Sequence, residues 1–171
     1  MSPEYVDIVD ESDEVVGKTS KQEAHEKGLL HRAVIAEVIG TDGKWTLVKH
    51  SPDRQDPGQF VSPIGGHVEA GETAEQALIR EAEEEYGLTG NVDFILKGKV
   101  TFNRTVIGRR ENHRFIVYEI HSDKPPVLNH EAVGYERFSK DQLRKEMREN
   151  PRKFGDAFHF VVKTFYPDLS K

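Results

Sequence analysis

Between residues 66 and 88 the chain reads GHVEAGETAEQALIREAEEEYGL, and its carboxylates carry the most chemistry in the sequence. Glu81, Glu84 and Glu85 are spaced by three and four residues, so on a helix they share one face. Three carboxylates so close repel one another and favour protonation. A hard divalent cation removes that conflict, and Mg²⁺ suits carboxylates that also meet substrate phosphates. Glycines bracket the cluster: Gly65, Gly66 and Gly71 before it, Gly87 after it. Such a pattern points to a metal site for diphosphate chemistry.

Written as Gly, five residues, Glu72, seven residues, then Arg80-Glu81-Ala82-x-Glu84-Glu85-x-Gly87-Leu88, the stretch resembles the Nudix box at every fixed position. The resemblance implies a Nudix hydrolase acting on a diphosphate linkage in a nucleoside diphosphate derivative. It implies an α+β fold, an α/β/α sandwich with a mixed sheet between helices. It also implies that Glu81, Glu84 and Glu85 bind Mg²⁺, with Mn²⁺ as substitute, and that Gly65 lends a carbonyl to the metal. Glu81 is the first choice for accepting a proton from water. Arg80 is expected to pair with Glu72 and fix the helix on its loop.

Other candidates come from placement along the chain. Glu131, just before a short predicted strand, is a further carboxylate ligand candidate, and Glu111 is another. Lys49, His50 and Arg54 sit at the exit of the second predicted strand and are candidates for substrate phosphates. Arg104, Arg109, Arg110 and Arg114 gather near Gly108 at an expected hairpin tip, where basic residues also serve solubility. Phe60, Phe102 and Tyr118 could stack on a base, although strand aromatics are more often core.

A second resemblance reaches into the N-terminal part. Residues 7–33, DIVDESDEVVGKTSKQEAHEKGLLHRA, with Gly65-Gly66-His67 further on, resemble the isopentenyl-diphosphate isomerase branch of the same superfamily. His25, His31 and His67 fall where those isomerases bind the metal of their proton-transfer site. Gly65 stands where the isomerases need a cysteine. Glu111-Asn112-His113 stands where they carry a Glu-x-Glu pair. With those two groups replaced, isomerisation loses its acid and its base. The alternatives to nucleoside di- or triphosphate hydrolysis are a nucleotide-sugar or dinucleotide pyrophosphatase, the isomerase itself, and a non-catalytic nucleotide sensor.

The elements that must position these groups follow from periodicity and breakers. Strands are expected at 33–39 and 45–49 around a Thr41–Lys44 turn, with a loop over 51–60. A short strand leads to Gly65-Gly66, and a helix runs from about Thr73 to Tyr86 and stops at Gly87, with Ile79, Ala82 and Tyr86 as its apolar stripe. Strands are expected at 92–102, 113–120 and 133–138, and Ser139 is expected to cap the next helix. Residues 157–166 read as a last helix packed on the sheet.

Composition sets the limits. A length of 171 residues suits a single domain, 1–171, with room for a sizeable core. There is no cysteine, so neither a disulfide nor a thiol nucleophile contributes. The acidic start fits neither a signal nor a transit peptide, and no apolar run is long enough to span a bilayer. A cytoplasmic enzyme is expected. The net charge of −6 argues against polymeric nucleic acid as a partner. The negative charge is local, however. Residues 1–14 and 66–88 hold thirteen of the thirty acidic residues and one of the twenty-four basic ones. The remainder is net positive and suits a phosphate-bearing small ligand. Oligomeric state is left open by the sequence.

Overall fold

The computed structural model describes residues 4–54, 56–106 and 108–170. Gln55 of the expected loop and Ile107 at the expected hairpin tip lie outside the described residues.

A nine-stranded mixed sheet forms the frame. Its strands are β1 (Tyr5–Val9), β2 (Val15–Ser20), β3 (His31–Ile39), β4 (Trp45–His50), β5 (Phe60–Val61), β6 (Ile64–His67), β7 (Phe94–Val106), β8 (Arg109–His121) and β9 (Ala132–Phe138). The helices are α1 (Lys21–Lys27), α2 (Ala74–Glu81), α3 (Lys140–Glu149) and α4 (Asp156–Phe165). β3 is central: it runs parallel to β8 and antiparallel to β1, β4 and β6. Among the described residues no helix is long and apolar enough to cross a membrane.

Alternation along β3 explains why helices cover both faces. Val34, Ala36 and Val38 pack with Leu78, Ala82 and Tyr86 of the box helix, while Ala33 and Ile35 pack with Val161 of α4. Side chains two apart on a strand share a face, so one apolar run serves two layers. A third cluster, with Trp45, Phe60, Phe138, Phe154 and Phe158, joins β4 to α3 and α4. Phe60 and Tyr118 are therefore core residues, and Phe102 packs against the core beside Phe115.

The box helix starts on a capping box. Thr73 accepts from the Gln76 N–H, and the Gln76 side chain accepts from the Thr73 N–H. Beyond Glu81 the helix widens into a π-helical turn, Ala82–Tyr86, which ends at Gly87 with φ of 80°. The sequence pattern implied one continuous apolar stripe through Ile79, but Ile79 is 45% exposed. Leu78 and Ala82, four apart, centre the buried face instead, which leaves Ile79 on its flank.

The N-terminal elements carry little strand or helix signal in the sequence. β1 and β2 form a hairpin whose tip is held by Asp13, which accepts from Arg32 Nε at 2.8 Å and Lys99 Nζ at 2.9 Å. α1 follows at once, with Ser20 as its cap and Ala24 and His25 buried. Ser139 caps α3 as the sequence implied.

Candidate functional site

One cavity of about 360 Å³ gathers most of the polar groups singled out above. Glu81, Glu84, Glu85, Glu131, Gly65, His50 and Arg54 all line it. Lys49 does not. Val48 and His50 reach the cavity, and a residue between them on the strand must point to the other face.

Arg80 organises the carboxylates. Its guanidinium grips Glu72 with two bonds of 3.0 and 2.9 Å, donates to the His67 carbonyl at 3.0 Å and reaches Glu81 Oε1 at 2.6 Å. Glu84 is further away, 3.7 Å, and largely exposed. A planar fork can satisfy several acceptors at once, which a lysine ammonium cannot do in this geometry. The expected Arg80–Glu72 pair is thus present, and it extends into the site through Glu81.

Glu81 is buried against Gly66. A Cβ at position 66 would lie 2.4 Å from the Glu81 carboxyl carbon, so the carboxylate can sit there only beside a glycine. At Gly65 the nearest atom to such a Cβ is the Val34 carbonyl oxygen at an ordinary 3.6 Å. Gly65 contributes differently: its N–H donates to Glu85 Oε2 at 2.8 Å.

Glu131 arrives from a different part of the chain. Asn129 donates its amide to the Glu84 carbonyl at 3.1 Å and accepts from the Glu131 N–H at 2.9 Å. The Tyr86 carbonyl accepts from Val127 N–H at 2.8 Å. These bonds fasten the 127–131 segment to the end of the box helix. Ser51 N–H donates to the Glu131 carbonyl, and Arg54 Nη1 lies 3.1 Å from Glu131 Oε1.

Burial pushes the Glu81 carboxyl up to about 7 against the opposing pull of Arg80. Burial also raises Glu85 well above the usual range, with Glu81 and Glu131 adding to the effect. Protonation is one remedy for such crowding, and a divalent cation is the other. An all-oxygen donor set of this kind fits a hard cation such as Mg²⁺ or Mn²⁺.

The other end of the cavity is only partly legible in the sequence. Arg104, Arg109, Glu111 and His113 line it. Residues 109, 111 and 113 alternate along β8, so their side chains share a face; that period of two was the available signal. Glu111 is buried and accepts from Arg104 Nε at 2.8 Å and Arg109 Nη2 at 2.9 Å. Arg104 also makes two 3.0 Å bonds to Asp56. These ties occupy much of the guanidinium's donor capacity.

His113 meets His25, His31 and His67 in one cluster whose ring nitrogens lie within 4.8 Å of one another. Strand register explains this: His31 stands opposite His113 across β3 and β8, and His67 stands opposite Ala33 across β3 and β6. Burial holds His25 near 3, assisted by Arg109, and holds His67 and His113 well below their ordinary value. Burial lowers His31 as well. Burial thus disfavours the charged form of all four rings.

Comparison with known proteins agrees with this architecture. A NUDIX domain model matches residues 29–158. The chain is 39% identical over 129 residues to an uncharacterised Nudix hydrolase of Nostoc sp., covering 74% of each protein. It is 28% identical over 163 residues to the isopentenyl-diphosphate Delta-isomerase of Serratia proteamaculans, covering 94% of this chain and 90% of that one. Among solved structures, DR0079 from Deinococcus radiodurans matches with a TM-score of 0.76 at 26% identity, over 95% of this chain and 99% of that one.

Proposed function

This chain belongs to the Nudix family, and on that premise we propose that it hydrolyses a diphosphate bond in nucleoside di- or triphosphates, releasing a nucleoside monophosphate with Mg²⁺ as cofactor. The observation that carries the reading is the convergence of Glu81, Glu84, Glu85 and Glu131 on one cavity. Glu81, Glu84 and Glu85 with the Gly65 carbonyl are the proposed ligands, joined by Glu131. A cation bound there would offset charge on the diphosphate oxygens and lower the pKa of a water.

The chain's own groups supply the rest. Glu81, buried and held by Arg80, is the proposed acceptor of a proton from the attacking water. Arg80 holds that carboxylate in place and is a positioning residue. The Gly65 N–H fixes Glu85 from the opposite wall. Arg54 and His50 offer cationic or hydrogen-bonding groups to phosphate oxygens at the cavity edge. Hydrolysis is favoured over double-bond isomerisation because Gly65 and His113 occupy the positions of the isomerase's cysteine and second carboxylate. A non-catalytic sensor is disfavoured by the intact carboxylate set.

The test is a screen of chelator-treated protein with added Mg²⁺ against nucleoside di- and triphosphates, nucleotide sugars and dinucleotides, reading phosphate and pyrophosphate separately. Isopentenyl diphosphate, followed by NMR, is the isomerase arm. Mg²⁺-dependent release of a monophosphate is expected. Isomer exchange at enzyme-like turnover, or release undiminished in excess chelator with no tightly bound metal, would reject the reading.

A further inference from the structure

Glu37 is a fully buried carboxyl on β3 that meets the cavity only through Ser62. Ser62 Oγ stands 2.6 Å from Glu37 Oε2, and Glu37 Oε1 has no hydrogen-bond partner. Ser62 itself lines the cavity that holds the carboxylates. An ionised Glu37 has no hydrogen, so it must accept from Ser62, and the hydroxyl then turns only lone pairs to the cavity. A neutral Glu37 has one hydrogen to place. On Oε1 that hydrogen would be buried without an acceptor, which is costly; on Oε2 it is donated to Ser62 Oγ. The Ser62 hydrogen is then released towards the cavity.

The wall around Ser62 is apolar. Val61 precedes it, Ile35 shares the Glu37 face of β3, and Ala157 packs beside Ile35; all three line the cavity. The nearby charges of Asp56 and Arg104 are bonded to each other. An apolar wall with one hydroxyl suits a flat ring that carries a polar atom at its edge. Ser62 is three residues from Gly65, at most about 10 Å along the chain, which is within reach of the nucleoside of a substrate whose phosphates meet the carboxylates.

We propose that Ser62 reads the edge of the substrate's nucleobase, and that Glu37 behind it sets whether Ser62 donates or only accepts. Ser62 is the specificity-determining residue, and Glu37 is a positioning residue that acts through it. With Glu37 neutral, the hydroxyl can meet a keto oxygen or an amino group. With Glu37 ionised, it can only accept, so a keto base loses its partner and an amino base keeps one. Uracil and cytosine differ in this way at one edge position. The ligand class rests on the hydrolase reading above. Burial pushes Glu37 up to about 8, with Glu119 of β8 adding to the effect. Tyr166, just past α4, also faces this pair, and its hydroxyl donates to Glu119. Glu119 is bonded to His121 as well, lies near Lys97 and is held below its ordinary range, so Glu37 is the carboxyl that titrates here.

The experiment measures binding of UMP and CMP, products of the proposed hydrolysis, to the full chain with Mg²⁺ by calorimetry from about pH 6 to about pH 9. One unit above the Glu37 value, about one protein in ten keeps the proton, so UMP should weaken about tenfold relative to CMP across that range. Phosphate titration is common to both ligands and cancels in the ratio. Ser62→Ala should remove the change, and any slope left in it belongs to the bases and is subtracted. Glu37→Gln cannot ionise and should give a ratio as flat as that of Ser62→Ala. The wild-type profile decides even where a variant does not fold. A wild-type ratio that does not move with pH, a change that survives in both folded variants, or no binding of either nucleotide would overturn the proposal. Turnover of UDP and CDP with Mg²⁺ separates the two readings. Monophosphate release with a pH-independent UMP-to-CMP ratio leaves the hydrolase standing and sinks the Ser62 assignment; a shifting ratio without release does the reverse.

Discussion

The backbone N–H of Gly65 donates to Glu85 Oε2 at 2.8 Å, tying the end of β6 to the π-helical turn of the box. A π turn changes the angular spacing of side chains along a helix and is common at functional sites. Here it carries Glu84 and Glu85, while Glu81 closes the regular part.

Glu85→Gln keeps the shape, and its amide oxygen can still accept from Gly65. It removes the charge that a cation needs. Turnover should fall on the order of a hundredfold or more, as when a charge-stabilising group is lost elsewhere. Stability without metal should hold or rise, because one member of a repelling set is neutral. Added Mg²⁺ should raise the melting temperature of wild type more than that of the variant. Melting curves with and without Mg²⁺, beside turnover, test both halves. A variant that unfolds without metal, or works at near wild-type rate, would refute this role.

Gly66→Ala should separate activity from stability. The added methyl meets the Glu81 carboxylate, which can swing aside at modest cost to the fold, on the order of 1–3 kcal/mol. The displaced carboxylate no longer sits by Arg80, so turnover should drop much further than stability does. Gly65→Ala meets only ordinary contacts and should melt close to wild type. Equal melting shifts for the two alanines would show that the cradle is not specific to position 66.

How much of this was legible in the sequence depends on chain separation. The box carboxylates and the Arg80–Glu72 pair lie within one turn-and-helix segment, so helical spacing alone brings them together. Glu131 required the Asn129 clamp on the Glu84 carbonyl, a bond that spans 45 residues and has no spacing rule. His113 joins His25, His31 and His67 only through the parallel register of β3 with β8, set by a long crossover. β2 is hard to recognise from sequence because most of its side chains are exposed, which leaves little hydrophobic alternation to see.

Arg80→Lys should destabilise the fold although charge is conserved. An ammonium cannot make the paired bonds to Glu72 and also reach the His67 carbonyl and Glu81. Because the guanidinium is partly exposed, screening limits the loss to roughly 1–2 kcal/mol. Urea denaturation of the two proteins measures it. The same substitution should lower turnover by freeing Glu81, with little change in KM. A KM effect alone would mean that Arg80 contacts substrate instead.

Glu37 gives the fold a pH dependence of its own. It is fully buried on β3; Oε2 accepts from the Ser62 hydroxyl at 2.6 Å, and Oε1 has no hydrogen-bond partner. Burial pushes this carboxyl up from 4.5 to about 8, and Glu119 across on β8 adds to the effect. Glu119 is itself held ionised by bonds from His121 and from the Tyr166 hydroxyl. Folded protein therefore keeps a proton on Glu37 that unfolded protein has released, between about pH 4.5 and about pH 8. Stability from this group is complete below that window and is lost as pH rises through it, because the unfolded chain binds fewer protons there. Glu37→Gln still offers a carbonyl oxygen to Ser62 and cannot ionise. Its advantage over wild type should be smallest near pH 5, grow up to about pH 8 and level off above it, as measured by urea unfolding at several pH values. Parallel profiles for the two proteins would mean that Glu37 does not titrate in this range.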